Sequence, residues 1–155
     1  MSVFLGLYAA GTFAFWRYYS TSYSVEQATE WQYGYKEMIA AVEPFLSDNA
    51  EINIYISRQQ GRPAAYLWFY TQQNPLEVQA VNSSIHKDQG EFLAFKNVVF
   101  FTTLSEITNP DAVIAASMNE FEELQKQTPH KTYKIMDTVS DLTGETIWVV
   151  VRTQP

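Results

Sequence analysis

Two arginines lie in a short turn after a candidate strand, in the run Ser57-Arg58-Gln59-Gln60-Gly61-Arg62-Pro63. Guanidinium groups bind phosphate or carboxylate through paired hydrogen bonds, and the N-terminus of a following helix adds unpaired backbone N–H groups. Ligands of open α/β sheets bind at the carboxyl ends of strands, where this turn is predicted to lie. The candidate ligands of a small anion are Ser57, Arg58, Gln60, Gly61 and Arg62. The alternative is a structural turn with two solvated arginines, because the run matches neither GxGxxG nor the Walker A pattern.

Other patterns of catalytic chemistry are missing from the sequence. The two histidines, His86 and His130, lack the spacing of a metal site, and there is no cysteine and no GxSxG nucleophile motif. A cluster of acidic residues could supply the paired carboxylates of a glycosidase, although a solvated helix face is the favoured interpretation. Its members are Asp111, Glu120, Glu122 and Glu123. The sequence therefore predicts no catalytic residue, no metal site and no cofactor.

A helix is predicted to begin at Ser24 and to end near Pro44. Ser24 and Gln27 have the spacing of a capping box. From Val25 to Val42 apolar residues recur at intervals of three and four, which is the period of a helix with one apolar face. Pro44 disfavours helical backbone at the residue before it, so the helix should end there.

Three residues of this predicted helix lie off its apolar face, namely Tyr33, Gly34 and Lys36. Tyr33 and Lys36 are the remaining candidate ligand-binding residues. A glycine inside a helix costs about 1 kcal/mol relative to alanine. Gly34 therefore indicates close packing or the approach of a ligand, unless it is tolerated for no special reason.

The rest of the sequence alternates strand and helix patterns. Ile52, Ile54 and Ile56 alternate with other residues and predict a strand at 51–57. The apolar run 64–70 predicts a largely buried helix that begins near Pro63. Further strands are predicted at 92–95, 98–101, 111–117, 132–139 and 145–152, with a short helix at 118–126 and a polar loop at 82–90. This order predicts an α/β fold, a small mixed sheet with flanking helices.

Composition narrows the class of partner. The chain has 155 residues, with 17% charged and 15% aromatic residues and a net charge of −7. Binding to nucleic acid needs clustered lysine and arginine, which an acidic chain without a basic cluster lacks, so no nucleic-acid partner is predicted. Low charge with high aromatic content fits contact with an apolar or sugar-rich surface, and it fits a tyrosine-rich core equally well.

The first 23 residues differ from the rest of the chain. Residues 3–16 carry no charge, and several aromatic residues cluster where this run ends. These are Trp16, Tyr18, Tyr19 and Tyr23. Tryptophan and tyrosine concentrate at the bilayer interface. The run is shorter than the about 20 residues of a spanning helix, so it is either the end of a membrane helix or a buried amphipathic helix. The predicted domains are 1–23, an N-terminal apolar aromatic helix, and 24–155, a single soluble α/β domain.

Five short motifs follow this aromatic segment in order. They are the run Trp-Gln-Tyr-Gly-Tyr-Lys-Glu at 31–37, the turn with Ser57, Gly61 and Pro63, the pairs Phe69-Tyr70 and Asn74-Pro75, and Gly144-Glu145 in the last hairpin. Together they resemble the C-terminal soluble region of polytopic membrane glycosyltransferases of the dolichyl-phosphate-mannose–protein mannosyltransferase-like group, of GT-C type. Arg58 and Arg62 depart from what this family is expected to carry at those positions.

The resemblance implies a non-catalytic extracytoplasmic domain at the cell membrane. Enzymes of this family transfer sugar from a lipid-linked phosphate donor, and their catalytic acids lie in an early extracytoplasmic loop that is not part of this sequence. The implied partners are the membrane part of the same polypeptide and, through it, a polyprenyl-phosphate sugar or a glycan acceptor that the domain helps to position. Two alternatives stand beside this reading. One is a stand-alone α/β module that binds a small anion, and the other is a structural or oligomerisation domain.

Overall fold

The computed structural model describes residues 2–27, 32–47, 52–82 and 92–154. The chain divides into two compact units, residues 1–33 and residues 34–155. The first contains helix α1 (Ser2–Tyr18), a π-helical turn (Tyr19–Tyr23) and the short helix α2 (Ser24–Glu26). The predicted N-terminal helix is therefore present. Among the described residues, no helix combines the length and apolar character needed to cross a bilayer.

The π-helical turn coincides with a cluster of hydroxyl side chains. Ser20 Oγ donates to the carbonyl oxygen of Trp16 at 2.8 Å, and Thr21 Oγ1 donates to that of Arg17 at 2.6 Å. Such hydroxyls compete with backbone N–H groups for the carbonyls of the preceding turn and distort the helix. The regular helix α1 consequently ends at Tyr18.

The second unit is an α/β fold in which helices and strands are interspersed along the chain. Its α-helices are α3 (Tyr35–Val42), α4 (Pro63–Tyr70), α5 (Pro75–Asn82) and α6 (Met118–Gln127). Its strands are β1 (Asn53–Ser57), β2 (Ala94–Phe95), β3 (Val98–Phe101), β4 (Ala112–Ala116), β5 (Thr132–Ser140) and β6 (Thr146–Gln154). The prediction of an α/β fold with a mixed sheet and flanking helices is confirmed.

The six strands form one sheet in the order β2-β3-β1-β4-β6-β5. The central strands β3, β1 and β4 are parallel, whereas β2, β6 and β5 pair antiparallel with their neighbours. One face carries a core from α3, α4 and the strands, in which Trp148 and Tyr35 are almost completely buried. The other face is covered by α6 through Phe121 and Leu124. The parallel strands are thus buried on both faces, as such strands usually are.

The prediction of one continuous helix from Ser24 to Pro44 is wrong. Gly34 has φ = +85°, a left-handed conformation that interrupts the helix, and α3 begins at the next residue. A Cβ at Gly34 would lie 2.6 Å from Ile147 Cδ1 and 2.9 Å from Val139 Cγ1. The glycine therefore permits both the turn and the close packing of this turn against the β5–β6 hairpin.

Two further expectations need correction around α4. This helix was expected to be largely buried, yet the side chain of Phe69 is 74% exposed while that of Leu67 is fully buried. Helix α5 was not predicted, because Asn74-Pro75 reads as a break. In the structure Asn74 Oδ1 accepts from the backbone N–H of Leu76 at 3.0 Å, so the break is also the start of the next helix. The predicted polar loop at 82–90 lies, apart from Asn82, outside the described residues.

Candidate functional site

The carboxyl ends of the three parallel strands meet at one edge of the sheet. Strands β1, β3 and β4 end at Ser57, Phe101 and Ala116, and Ser57 pairs with Phe101 in the register of β1 and β3. The chain runs from β1 to β3 on one side, whereas β4 leads to β5 and β6 on the other. This is the topological switch point at which open α/β sheets bind ligands. The turn of 58–62 lies here, as predicted.

A buried carboxylate occupies the centre of this edge. Glu120 is only 6% exposed, and its Oε1 accepts from Ser57 Oγ at 2.7 Å. Its Oε2 accepts from the backbone N–H and the Oγ of Ser117, both at 2.9 Å. Ser117 Oγ in turn accepts from the Glu120 N–H, which completes a capping box at the N-terminus of α6. The N-terminus of α6 would otherwise attract an anionic ligand. It is already occupied by the carboxylate of Glu120.

A second carboxylate organises the connection after β3. Arg58 Nε donates to Thr102 Oγ1 at 2.9 Å, and Glu106 Oε1 accepts from the N–H groups of Thr102 and Thr103 at 3.0 and 2.8 Å. Partial burial raises the pKa of Glu106. The hydrogen bonds from Thr103 and Thr102 and the charge of Arg58 outweigh that effect, so the pKa of this carboxyl lies below its ordinary value. Arg58 is thus engaged with the neighbouring loop.

A shallow depression of about 290 Å³ lies beside these networks. Its lining combines hydroxyl and amide groups with two carboxylates and one apolar side chain. The residues are Gln59, Thr102, Thr103, Leu104, Asn119, Glu120 and Glu123. Carboxylates repel phosphate and carboxylate ligands, so this depression is better suited to hydroxyl groups or a cation than to an anion. Within the described residues, no group of three or more acidic or histidine side chains is arranged to hold a metal ion.

The predicted ligand residues fall into three places. Ser57, Arg58, Gln60, Gly61 and Arg62 share the β1–α4 turn. Gly61 has φ = +123° there and donates its N–H to the carbonyl of Arg58 at 3.1 Å. Lys36 is exposed on α3, and Tyr33 is exposed at the end of the first unit. The assignment of these residues to a ligand stays a prediction.

Sequence reasoning missed the residues that organise this edge. The interpretation of Glu120 as part of a solvated helix face is wrong, although Glu122 and Glu123 are exposed as expected. The missed signal was the spacing Ser117-x-x-Glu120, which matches a capping box directly after a strand. The spacing between Thr103 and Glu106 gives the same signal, and both capping boxes form. Neither pattern by itself reveals that Glu120 also reaches Ser57 on a neighbouring strand.

Comparison with known proteins adds no assignment. No protein-family model, curated protein or solved structure matches this chain.

Proposed function

We propose that this chain is a non-catalytic extracytoplasmic C-terminal domain of a membrane glycosyltransferase that uses a lipid-linked sugar as donor. The observation that carries the membrane part is the exposure of apolar side chains around the whole circumference of α1. The observation that carries the glycosyltransferase part is the ordered set of motifs that resemble this family.

Helix α1 exposes apolar side chains on every side. Val3, Phe4, Leu5 and Phe13 are 74%, 80%, 73% and 69% exposed. Successive residues of a helix are rotated by about 100°, so these four side chains point in well-separated directions. Burying apolar surface contributes about 25 cal/mol per Å². A helix of this kind is strongly favoured in lipid or against other apolar helices, and disfavoured in water.

The C-terminal end of α1 has the composition of an interfacial region. Trp16, Tyr18 and Tyr19 are exposed by 66%, 46% and 44%. The ring of Tyr23 stacks on that of Tyr19, with 5.3 Å between the ring centroids. Tyrosine and tryptophan place their rings at the headgroup level with their polar atoms toward water. Arg17 lies among them and is suited to headgroup phosphates.

The motifs that resemble the glycosyltransferase family coincide with positions on which the fold depends. Gly34, Gly61 and Gly144 belong to three of the motifs, and all three have positive φ, at +85°, +123° and +89°. Phe69-Tyr70 ends α4, and Asn74-Pro75 begins α5. Motifs that occupy turns and helix ends are those a shared fold would retain. This agreement supports the resemblance, while catalysis is assigned to the membrane part of the same polypeptide.

The proposal is tested by isolating the native polypeptide. An antibody against residues 92–154 should precipitate, from detergent-extracted membranes of the producing cells, a polypeptide that transfers sugar from a polyprenyl-phosphate donor to an acceptor. The purified 155-residue chain should have no transfer activity. Precipitates that contain only this chain and lack transfer activity would contradict the proposal, and an unrelated antibody is the control.

A further inference from the structure

A groove between α4 and α5 lies away from the carboxyl edge of the sheet. Its volume is about 520 Å³, within the roughly 300–1,000 Å³ that is usual for ligand pockets. Its lining consists of aromatic rings, amides and small apolar groups, chiefly Trp68, Phe69, Gln72, Gln73, Val78 and Gln79. Among the residues that the structure describes, no ionisable side chain belongs to this lining.

The two aromatic residues of the groove play different parts. Trp68 is partly buried and packs edge-on against Phe92 and Phe95, with ring centroids 4.5 and 5.9 Å apart. Phe69 is 74% exposed, and its ring packs edge-on against that of Tyr70, with 5.2 Å between the ring centroids. Trp68 is thus a fixed wall, whereas Phe69 offers an open ring face to a ligand.

Amide side chains surround these rings. Gln72 and Gln79 are exposed, and Gln73 Nε2 is held by Thr71 Oγ1 at 2.9 Å. Each amide presents both a donor and an acceptor. Trp68 Nε1 is buried and has no hydrogen-bond partner among the residues that the structure describes.

Gln72 stands where helices usually have glycine. The N–H of Gln73 bonds to the carbonyl of Trp68 at 3.0 Å, and Gln72 has φ = +51°, so α4 ends in the left-handed cap typical of glycine. A side chain in this conformation is unfavourable. Glycine would be the most stable residue at this position, but it would remove an amide from the groove. The protein has glutamine here and keeps the amide.

We propose that the α4–α5 groove binds a neutral carbohydrate. The apolar C–H face of a sugar ring matches the face of Phe69, and its hydroxyls match the amides of Gln72 and Gln79. The described lining has no charge that would favour a charged sugar over a neutral one. This inference is independent of the proposed membrane location, because it concerns the binding properties of the chain itself.

Saturation-transfer NMR on the full chain, held in a detergent without a sugar headgroup, tests the proposal with cellobiose, maltose and lactose at millimolar concentration. At least one disaccharide should receive saturation at its ring C–H protons and shift the indole N–H resonance of Trp68. Phe69→Ala should weaken binding about tenfold. The matched control Leu142→Ala, which truncates an exposed apolar side chain in the β5–β6 hairpin, should have no effect.

Gln72→Gly separates loss of binding from loss of folding. It should raise Tm by roughly 3 °C because it relieves the left-handed backbone, yet weaken disaccharide binding about threefold to tenfold. The absence of saturation transfer from all three disaccharides would overturn the proposal. So would wild-type sugar binding by Phe69→Ala, or a change of Phe69→Ala from oligomer to monomer without any sugar binding, which would make the groove a protein interface.

Discussion

The two units of this chain differ in how far their apolar side chains are buried. In the α/β unit Trp148 is fully buried, and the sheet carries a packed core on each face. In the first unit Trp16 is 66% exposed, and the neighbouring apolar side chains of α1 are similarly open. The α/β unit buries its large apolar side chains in its own core, whereas the large apolar side chains of α1 are exposed. The apolar residues of the α/β unit therefore stabilise its fold, and we propose that those of α1 contact the membrane.

A pair of tryptophan substitutions gives the largest expected contrast. Trp148→Ala should lower the free energy of unfolding of the α/β unit by about 4 kcal/mol, because it opens a large cavity in the core beside Tyr35. Trp16→Ala should change it by less than about 0.5 kcal/mol. Urea denaturation of the full chain, followed by circular dichroism, measures both. Equal effects of the two substitutions would break the distinction between the units.

A pair of glycine substitutions tests the same contrast through the backbone. Gly34→Ala should cost about 3 kcal/mol, because it adds a left-handed strain to a clash with Ile147 and Val139. Gly6→Ala, at a position in α1 where a Cβ meets nothing within 4 Å, should leave the α/β unit unchanged. Thermal unfolding compares the two variants, and a Gly34→Ala protein as stable as wild type would contradict the packing described at this turn.

These glycines show how far the sequence could be interpreted alone. The pattern of apolar segments and turns was sufficient for β1, β3, β4, α6 and the last hairpin. It failed at Gly34, because the apolar period continues through a residue whose left-handed φ is set by contacts with the distant Ile147. It failed again at Phe69, because the sequence predicts a buried position for an apolar side chain whether or not the fold covers it. Glu120 was misjudged because its partner Ser57 is far away in sequence.

Within the α/β unit, the next largest loss of stability is expected from the buried carboxylate of Glu120 at the carboxyl edge of the sheet. Glu120→Ala should cost about 2 kcal/mol, because the hydroxyl of Ser57 and the N–H of Ser117 lose their acceptor. Glu122→Ala, on the exposed side of the same helix, is the matched control and should cost less than about 0.5 kcal/mol. Urea denaturation at neutral pH compares the two. Similar values for both would mean that the Ser57–Glu120 network does not stabilise the edge.

The smallest effect is a dependence on pH that comes from Glu106. Its pKa in the folded protein lies below the ordinary value of 4.5, so its carboxylate stabilises the fold above that pH, and the contribution is lost as the pH falls through the folded value. Glu106→Gln should therefore be less stable than wild type by about 1 kcal/mol at pH 7. The two proteins should converge in stability once the pH falls below the lowered pKa that Glu106 has in the folded protein. A difference that stays constant from pH 7 to pH 3 would assign the effect to packing instead of charge.

We propose that the exposed surface of α1 is covered by the membrane part of a larger polypeptide. The most direct test is the size and extraction behaviour of the native protein, detected with the antibody against residues 92–154. We predict a band several times larger than the 17.8 kDa of this chain. Detergent should release it from membranes, whereas high salt or carbonate should not. A band of 17.8 kDa that stays in the supernatant without detergent would contradict it.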